Sequence, residues 1–262
     1  RVEDELSREH GVPVTILDRA WIIDEVIAKN RRDLAFNYLG IGEETIENEL
    51  GPEDYSRKQQ LADIERELED PTAFEGMAMH RATEALVAAK LSRSVGLPRT
   101  DVDGRFLRAV RLADDGGTRR QKLEARYESL WTAFWWFDDI ATVVAGYDQF
   151  ESEVIDDDSA KNLEFLCNLA QLLFNAVFRN GWARDMAQLD ARVARLKARL
   201  EQLANEAERP NNALQARTSL LIVRVNEAMI SDAGADLSSL WPGFSDVFVK
   251  AEGLGEFDAS RV

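Results

Sequence analysis

Two adjacent carboxylates, Asp138 and Asp139, follow a run of aromatic residues in the segment LWTAFWWFDDI (130–140). Aspartates placed after aromatics suggest a helical enzyme that binds magnesium diphosphate, but acids that share a cation must lie one helical turn apart. Neighbouring residues on a helix point about 100° apart, and residues 141–143, where a third acid would stand, are Ala, Thr and Val. The spacing therefore argues against a metal site. It predicts a turn in which these acids favour the N-terminus of the following helix.

The aromatic residues before this acid pair fall on two stripes of one helix. Side chains three or four residues apart form the first stripe: Leu123, Tyr127, Leu130, Phe134 and Phe137. Trp131 and Trp135 form the second stripe, so the helix is apolar around much of its circumference and is expected to pack between two neighbours. Trp136 lies outside both stripes. We therefore select Trp136 as a candidate for binding a protein partner.

A second candidate for partner binding is the segment ERPNNALQAR (208–217). Asn211 and Asn212 follow a proline at a helix start, where polar side chains ordinarily act as caps. The alternative is that these amides clamp the backbone of a bound peptide. Trp136, Asn211, Asn212 and Arg217 form the predicted partner-binding set.

Two charged segments are interpreted as structural. Arg192, Arg195 and Arg199 give one helix a basic edge, but acids such as Glu201 share that helix and favour a solvated, salt-bridged face. The run Asp156–Asp158 lacks the alternating ligands of a calcium loop and precedes a helix directly, which predicts a turn rich in caps.

Composition limits the classes of function. A net charge of −16 argues against general binding to nucleic acid or to an anionic membrane. A single cysteine, Cys167, lies in an apolar helical run and predicts a buried thiol, not a disulfide or cysteine metal site. The two histidines are far apart, and no apolar run reaches the roughly 18 residues of a membrane span. We expect a cytoplasmic protein without a cofactor, and a piece of a longer chain.

The chain is expected to be mainly α-helical after a short α-β-α segment at residues 1–29. Within that segment Val12–Leu17 is the one convincing strand, and a lone strand needs partners from outside this sequence. Residues 30–70 are expected to form connecting helices, and 71–262 antiparallel helical hairpins. Helices are expected at about 73–95, 100–113, 119–137, 139–155, 159–179, 183–206, 211–231 and 237–253. First members of the hairpins begin near 73, 119, 159 and 211, a spacing typical of helical repeats. The predicted fold is a right-handed TPR/HEAT-like array.

Two helix starts carry capping signals. Thr118 with Gln121 fits a capping box, and Thr100 with Asp103 fits one more loosely.

The first 39 residues, RVEDELSREHGVPVTILDRAWIIDEVIAKNRRDLAFNYL, resemble the closing helix–strand–helix of Mrr-like, PD-(D/E)xK-type endonuclease domains. Such domains occur at the N-terminus of large bacterial conflict and antiphage-defence proteins, commonly followed by a TPR-like helical region. Residues 91–139 resemble that helical region. The resemblance implies a multidomain bacterial defence protein, but it transfers no catalytic residue because none of the family's catalytic motif positions is present.

These observations favour a non-catalytic helical scaffold that recognises a protein partner or other domains, or transmits a signal between domains. A second hypothesis makes the chain part of a magnesium-dependent DNA endonuclease whose catalytic residues lie outside it. A third is a terpene-cyclase-like magnesium-diphosphate enzyme using Asp138 and Asp139.

Overall fold

The computed structural model describes residues 52–179, 181–231 and 237–254, and the regular structure within these ranges is entirely helical. The prediction of a mainly α protein is thus confirmed. Contacts divide the chain into two compact units, Arg1–Gln60 and Leu61–Val262. The predicted strand Val12–Leu17 and the predicted α-β-α segment 1–29 lie outside the described residues.

Nine α-helices and one short 3₁₀-helix occupy the described ranges. In chain order they are α1 (Pro52–Glu69), α2 (Ala78–Ser94), α3 (Arg99–Gly116), α4 (Arg119–Phe137), α5 (Ile140–Val154), α6 (Ala160–Phe178), α7 (Leu189–Ala204), α8 (Pro210–Met229), the 3₁₀-helix (Ser238–Leu240) and α9 (Trp241–Ala251). None of the helices in these ranges is both long and apolar enough to cross a membrane.

Local signals explain several helix starts. Thr118 caps α4 by accepting from the Gln121 backbone N–H, and the Gln121 side chain accepts from the Thr118 N–H, which confirms the capping box. The looser box at Thr100 and Asp103 is wrong. Helix α3 already begins at Arg99, with Pro98 before it fixing the entry of the chain without a side-chain cap.

Two helices begin later than periodicity suggests. A helix is expected from about residue 73, but α2 begins at Ala78 because the backbone at Gly76 is left-handed, with φ of 74°. A helix is likewise expected from about residue 183, but α7 begins at Leu189, after Gln188 adopts a φ of 48°. A left-handed residue breaks a right-handed helix at that point.

From α2 onward the helices pack with two kinds of neighbour. Every two consecutive helices from α2 to α9 are in contact, and we group them as α2 with α3, α4 with α5, α6 with α7, and α8 with α9. The first helix of each pair also contacts the first helix of the next, giving α2–α4, α4–α6 and α6–α8 contacts. We call α2, α4, α6 and α8 the first helices; they run parallel, since contacts join start to start and end to end, as between Arg120 and Asn162.

The largest apolar cluster extends from α4 to α8 and is centred on α6, which buries eleven residues. Cys167 lies within α6 and is 1% exposed, so the prediction of a buried thiol is confirmed. A second cluster joins residues 61–74 to α2, α3 and the start of α4. The last helix, α9, buries only Val247, in a small cluster with residues of α8.

Candidate functional site

The aromatic helix α4 packs as its spacing predicts. Leu123, Tyr127 and Phe134 are buried, and Trp131 and Trp135 pack against the same core. The helix contacts α2, α3, α5 and α6, so its apolar circumference is covered from several sides. This burial confirms the structural interpretation of the stripes.

Asp138 and Asp139 form the turn between α4 and α5. Asp138 is exposed and left-handed, with φ of 50°, and ends α4. Asp139 is the N-cap of α5: its Oδ1 accepts from the Thr142 backbone N–H at 3.0 Å, and its Oδ2 accepts from Arg99 and from the Thr142 hydroxyl. The predicted role of the pair at the next helix start is confirmed for Asp139.

The contacts of Asp139 also set its acidity. Burial acts to raise the pKa of the carboxyl, but the hydrogen bonds from Arg99 and Thr142 outweigh it and lower the pKa to about 2. The carboxylate therefore binds the Arg99 guanidinium and the N-terminus of α5. That is a structural use of the charge, distinct from ligation of a metal.

Trp136, the aromatic assigned to partner binding, is half-buried against Arg93. The Arg93 guanidinium carbon lies 4.3 Å from the centroid of the Trp136 ring and 5.8 Å from that of Phe106. Arg93 also donates to Glu128 at 2.8 Å and to the Thr132 hydroxyl. Trp136 thus helps to hold the end of α2 against α4, by a cation–π contact.

The polar members of the predicted partner-binding set also have contacts within the chain. The Asn212 side chain accepts from the Ala160 N–H at 2.7 Å and donates to the Asp158 carbonyl oxygen at 2.9 Å, so it caps α6 from α8. Arg217 donates to Asp246 at 2.9 Å and joins α8 to α9. Asn211 is exposed.

The structure does not bring the predicted set together. Trp136 stands at the C-terminal end of α4, whereas Asn211 and Asn212 stand at the N-terminal end of α8, and the first helices run parallel. Their joint role in partner binding stays a prediction. The contacts of Asn212 and Arg217 supply a structural reason for both residues.

The basic edge of α7 is paired across helices, as predicted, but one member is deeply buried. Arg192 is 1% exposed and donates to Asp148 and to the carbonyl oxygens of Val144 and Ala187, each at 3.0 Å. Its guanidinium also lies over the ring of Tyr147 at 4.7 Å. The prediction of a solvated face is therefore wrong at Arg192, because α5 offers a carboxylate and a carbonyl group directly opposite it.

The remaining arginines of that edge, and the acid run before α6, are also engaged. Arg195 makes a bidentate pair with the buried Glu151, and Arg199 donates to the carbonyl oxygens of Asp156 and Asp157. The Asp157 carboxylate accepts from the Ser159 N–H at 2.9 Å, which confirms the prediction of a cap-rich turn. Burial acts to raise the pKa of Asp157, but hydrogen bonds, from the Asn162 side chain and others, lower it.

A groove that the sequence did not reveal lies between α2 and α4, with a volume of about 280 Å³. The residues that line it are Ala82, Thr83, Leu86, Val87, Lys90, Leu91, Arg93, Ser94, Gln121 and Glu124. On α2 they repeat at helical spacing, so small and aliphatic side chains of one face form the floor. The sequence signal that could have predicted the groove is the pair of short residues, Ala82 and Thr83, on this face of α2, because short side chains leave space beside the long side chains of α4.

The polar groups at the edge of the groove differ in how many hydrogen bonds and ion pairs they make. The Gln121 amide donates to the Met79 carbonyl oxygen and to the Thr83 hydroxyl. The Lys90 ammonium lies 3.2 Å from Glu128 but 4.0 Å from Glu124. The Arg93 side chain is only 9% exposed, and its Nε–H has no acceptor among the described residues. The groove therefore combines aliphatic side chains with an edge that carries the cations Lys90 and Arg93 and the carboxylate Glu124.

Comparisons with models of protein families, with curated proteins and with solved structures gave no match to this chain.

Proposed function

We propose that the chain is a non-catalytic helical-repeat scaffold for protein recognition, built as a TPR/HEAT-like, right-handed array. The observation that carries this proposal is the chain of contacts between successive first helices, α2–α4–α6–α8. In repeat proteins each unit contacts mainly its neighbours, and the layered helices present a continuous surface to a partner.

Hydrogen bonds between neighbouring hairpins support a repeat of about the length of one helical hairpin. Contacts between first helices join residues 35 apart for Arg93 and Glu128, 42 apart for Gln121 and Met79, and 51 apart for Gln215 and Glu164. A hairpin of two helices with short loops has about this length. All three bonds therefore link one hairpin to the next.

The ionisable groups that join one helix to another favour a structural role. Burial acts to raise the pKa of Glu65, but Arg108 and Arg105 hydrogen-bond its carboxylate and lower the pKa. Asp139 and Asp157 are held similarly, by arginines and helix starts. Charges used in this way fix helices against each other, as a rigid recognition surface requires.

From the resemblance of residues 1–39 and 91–139 we also propose that this scaffold is part of a multidomain bacterial defence protein. Its partner would be a protein, a peptide or another domain of that protein, whose signal it would pass to an effector domain. The magnesium-dependent endonuclease remains the alternative, with its catalytic residues outside this chain.

Site-specific photo-crosslinking in bacterial cells that express the chain tests the recognition function. A photoreactive amino acid at Thr83 in α2 or at Lys161 in α6 should give adducts of discrete mass that contain the same protein, because both positions lie on first helices. Leu107 is 65% exposed and serves as the control, because it lies on α3, which is not one of the first helices. Equal adducts at all three positions, or cleavage of DNA by the purified chain with magnesium, would contradict the proposal.

A further inference from the structure

We infer that the side of α9 that faces away from α8 binds α9 of a second copy of this chain, forming a dimer with two-fold symmetry. This inference goes beyond the proposed function, because it does not depend on which partner the scaffold recognises. Four observations lead to it: an exposed apolar stripe on α9, the contacts of the other helices, the order of residues in the stripe, and the charges around it.

Helix α9 is apolar on two sides. The side that packs on α8 carries Phe244 and Val247. The other side exposes Trp241, Phe248 and Val249, whose relative exposures are 63%, 48% and 69%. Because Phe248 and Val249 follow Trp241 by two helical turns, the three side chains form one stripe. A helix that is apolar on opposite sides is expected to pack between two neighbours.

The helices that complete the other hairpins show which kind of neighbour α9 lacks. Helix α3 packs on α2 and α4, α5 packs on α4 and α6, and α7 packs on α6 and α8. Among the described residues, the main contacts of α9 are with α8 and with the short 3₁₀-helix that precedes it. Each of the other three helices thus has a long helix on two sides. The occupant that fits the free side of α9 is therefore another helix.

The order of residues in the stripe makes it complementary to itself. Ser245 is exposed and stands four residues after Trp241 and four residues before Val249. Antiparallel packing of two α9 helices about Ser245 therefore places Trp241 of each copy beside Val249 of the other. A large side chain then faces a smaller one, and the two serines at the centre allow the helices to approach closely.

The charges around the stripe also favour a second copy as the occupant. The chain carries a net charge of −16, which opposes self-association of most of its surface. Helices α8 and α9, by contrast, carry three bases and two acids between them: Arg217, Arg224, Lys250, Glu227 and Asp246. The stripe itself is uncharged. It offers no strong charge to a basic or acidic partner, whereas α9 of a second copy is equally neutral and apolar.

Analytical ultracentrifugation of the whole chain, from about 1 µM to about 300 µM, tests this inference. One side of an eleven-residue helix is a small interface, so the average mass should rise from monomer toward dimer across this range. Trp241→Glu should weaken the association by about tenfold or more, because it replaces apolar contact with two charges of like sign. Leu107→Glu is the matched control, since Leu107 on α3 is 65% exposed, and it should dimerise like the unmodified chain.

Disulfide trapping tests the antiparallel arrangement without weakening the interface. Ser245→Cys should form a disulfide between two copies under mild oxidation, because the two cysteines meet at the two-fold axis. Ser152→Cys, at an exposed position of α5, is the matched control and should stay monomeric on a reducing-agent-free gel. The native Cys167 is buried and does not compete.

Circular dichroism must show unchanged helix content in every variant that is compared. A mass that stays monomeric at every concentration overturns the inference, as does a dimer that Trp241→Glu leaves unchanged. A dimer that Ser245→Cys does not trap overturns the antiparallel contact of α9. Each of these results leaves the scaffold function standing, because photo-crosslinking on the first helices tests that function separately.

Discussion

Asp139 shows how one side chain joins three parts of the molecule. Its carboxylate caps α5, accepts from the Thr142 hydroxyl and pairs with Arg99 at the start of α3. The sequence predicted the position of this acid at a helix start, because spacing and adjacency are local properties. It did not reveal the pairing with Arg99, which lies 40 residues away and depends on how the hairpins pack.

The pKa of Asp139 predicts a specific dependence of stability on pH. Because the folded-state pKa of about 2 lies below the ordinary value of 3.8, the ionised carboxylate stabilises the fold above about pH 4, and that stability is lost as the pH falls toward 2. Asp139→Asn keeps a capping side chain but removes the charge. We expect the variant to be less stable than the unmodified chain by about 1–2 kcal/mol at pH 7, with the difference vanishing near pH 2.

Urea unfolding of both proteins between pH 2 and pH 7 measures this difference. Asp138→Asn is the matched control, since Asp138 is exposed and asparagine tolerates its left-handed backbone. If the difference in unfolding free energy between the unmodified chain and Asp139→Asn did not change with pH, the charge of Asp139 would have no role in stability.

Arg192 marks the limit of sequence reasoning at the scale of the residue. On a helical wheel it resembles Arg195 and Arg199, and all three suggest an exposed basic edge. Only Arg192 is fully buried, because the Val144 and Ala187 carbonyl oxygens and Asp148 surround its guanidinium. Such a cluster of acceptors from two segments has no signature in the sequence of α7 alone.

At the scale of the element, helix interiors were predictable and their boundaries less so. The apolar period identified each helix from α2 to α8, and a capping box located the start of α4. The starts of α2 and α7 depend on left-handed residues at Gly76 and Gln188, whose conformations follow from local turns that periodicity does not report. The groove beside α2 was missed for a related reason, since it exists only where α4 packs against that helix.

Two glycines of α3 should respond to alanine with opposite signs. A Cβ at Gly116 would lie 2.4 Å from the Cβ of Ala78, whereas one at Gly104 would meet nothing within 4 Å. Alanine favours a helix over glycine, so Gly104→Ala should stabilise the protein by about 0.5–1 kcal/mol. Gly116→Ala should instead destabilise it by about 1–3 kcal/mol, since α3 must move away from α2.

Thermal or urea unfolding of the two single variants is sufficient to compare them. Stabilisation by both substitutions would mean that α2 and α3 do not approach closely at Gly116.

At the scale of the molecule, burial is unevenly distributed along the helices. Helix α6 buries eleven residues in the largest apolar cluster, while α9 buries Val247 alone. When contacts are made mainly with neighbours, the most buried unit opens last and a thinly packed terminal helix opens first.

Hydrogen exchange followed by mass spectrometry should therefore resolve α6 from α9. We expect amides of α9 (Trp241–Ala251) to exchange at least about a hundredfold faster than those of α6, a difference of a few kcal/mol in opening free energy. The middle of α8 should be intermediate, because it contacts both clusters. Equal protection of α6 and α9 would indicate that these helices open together in a single cooperative step.

The parallel contacts between first helices also have a consequence for the growing chain during translation. Thr83 meets Gln121 as soon as 38 further residues have been made, and Tyr127 can stack on Phe165 after another hairpin has emerged. Each newly synthesised hairpin therefore finds its partner surface already present, with little waiting for distant segments. Short sequence separations favour rapid folding, so this part of the protein is suited to assemble hairpin by hairpin at the ribosome, in the order in which it is made.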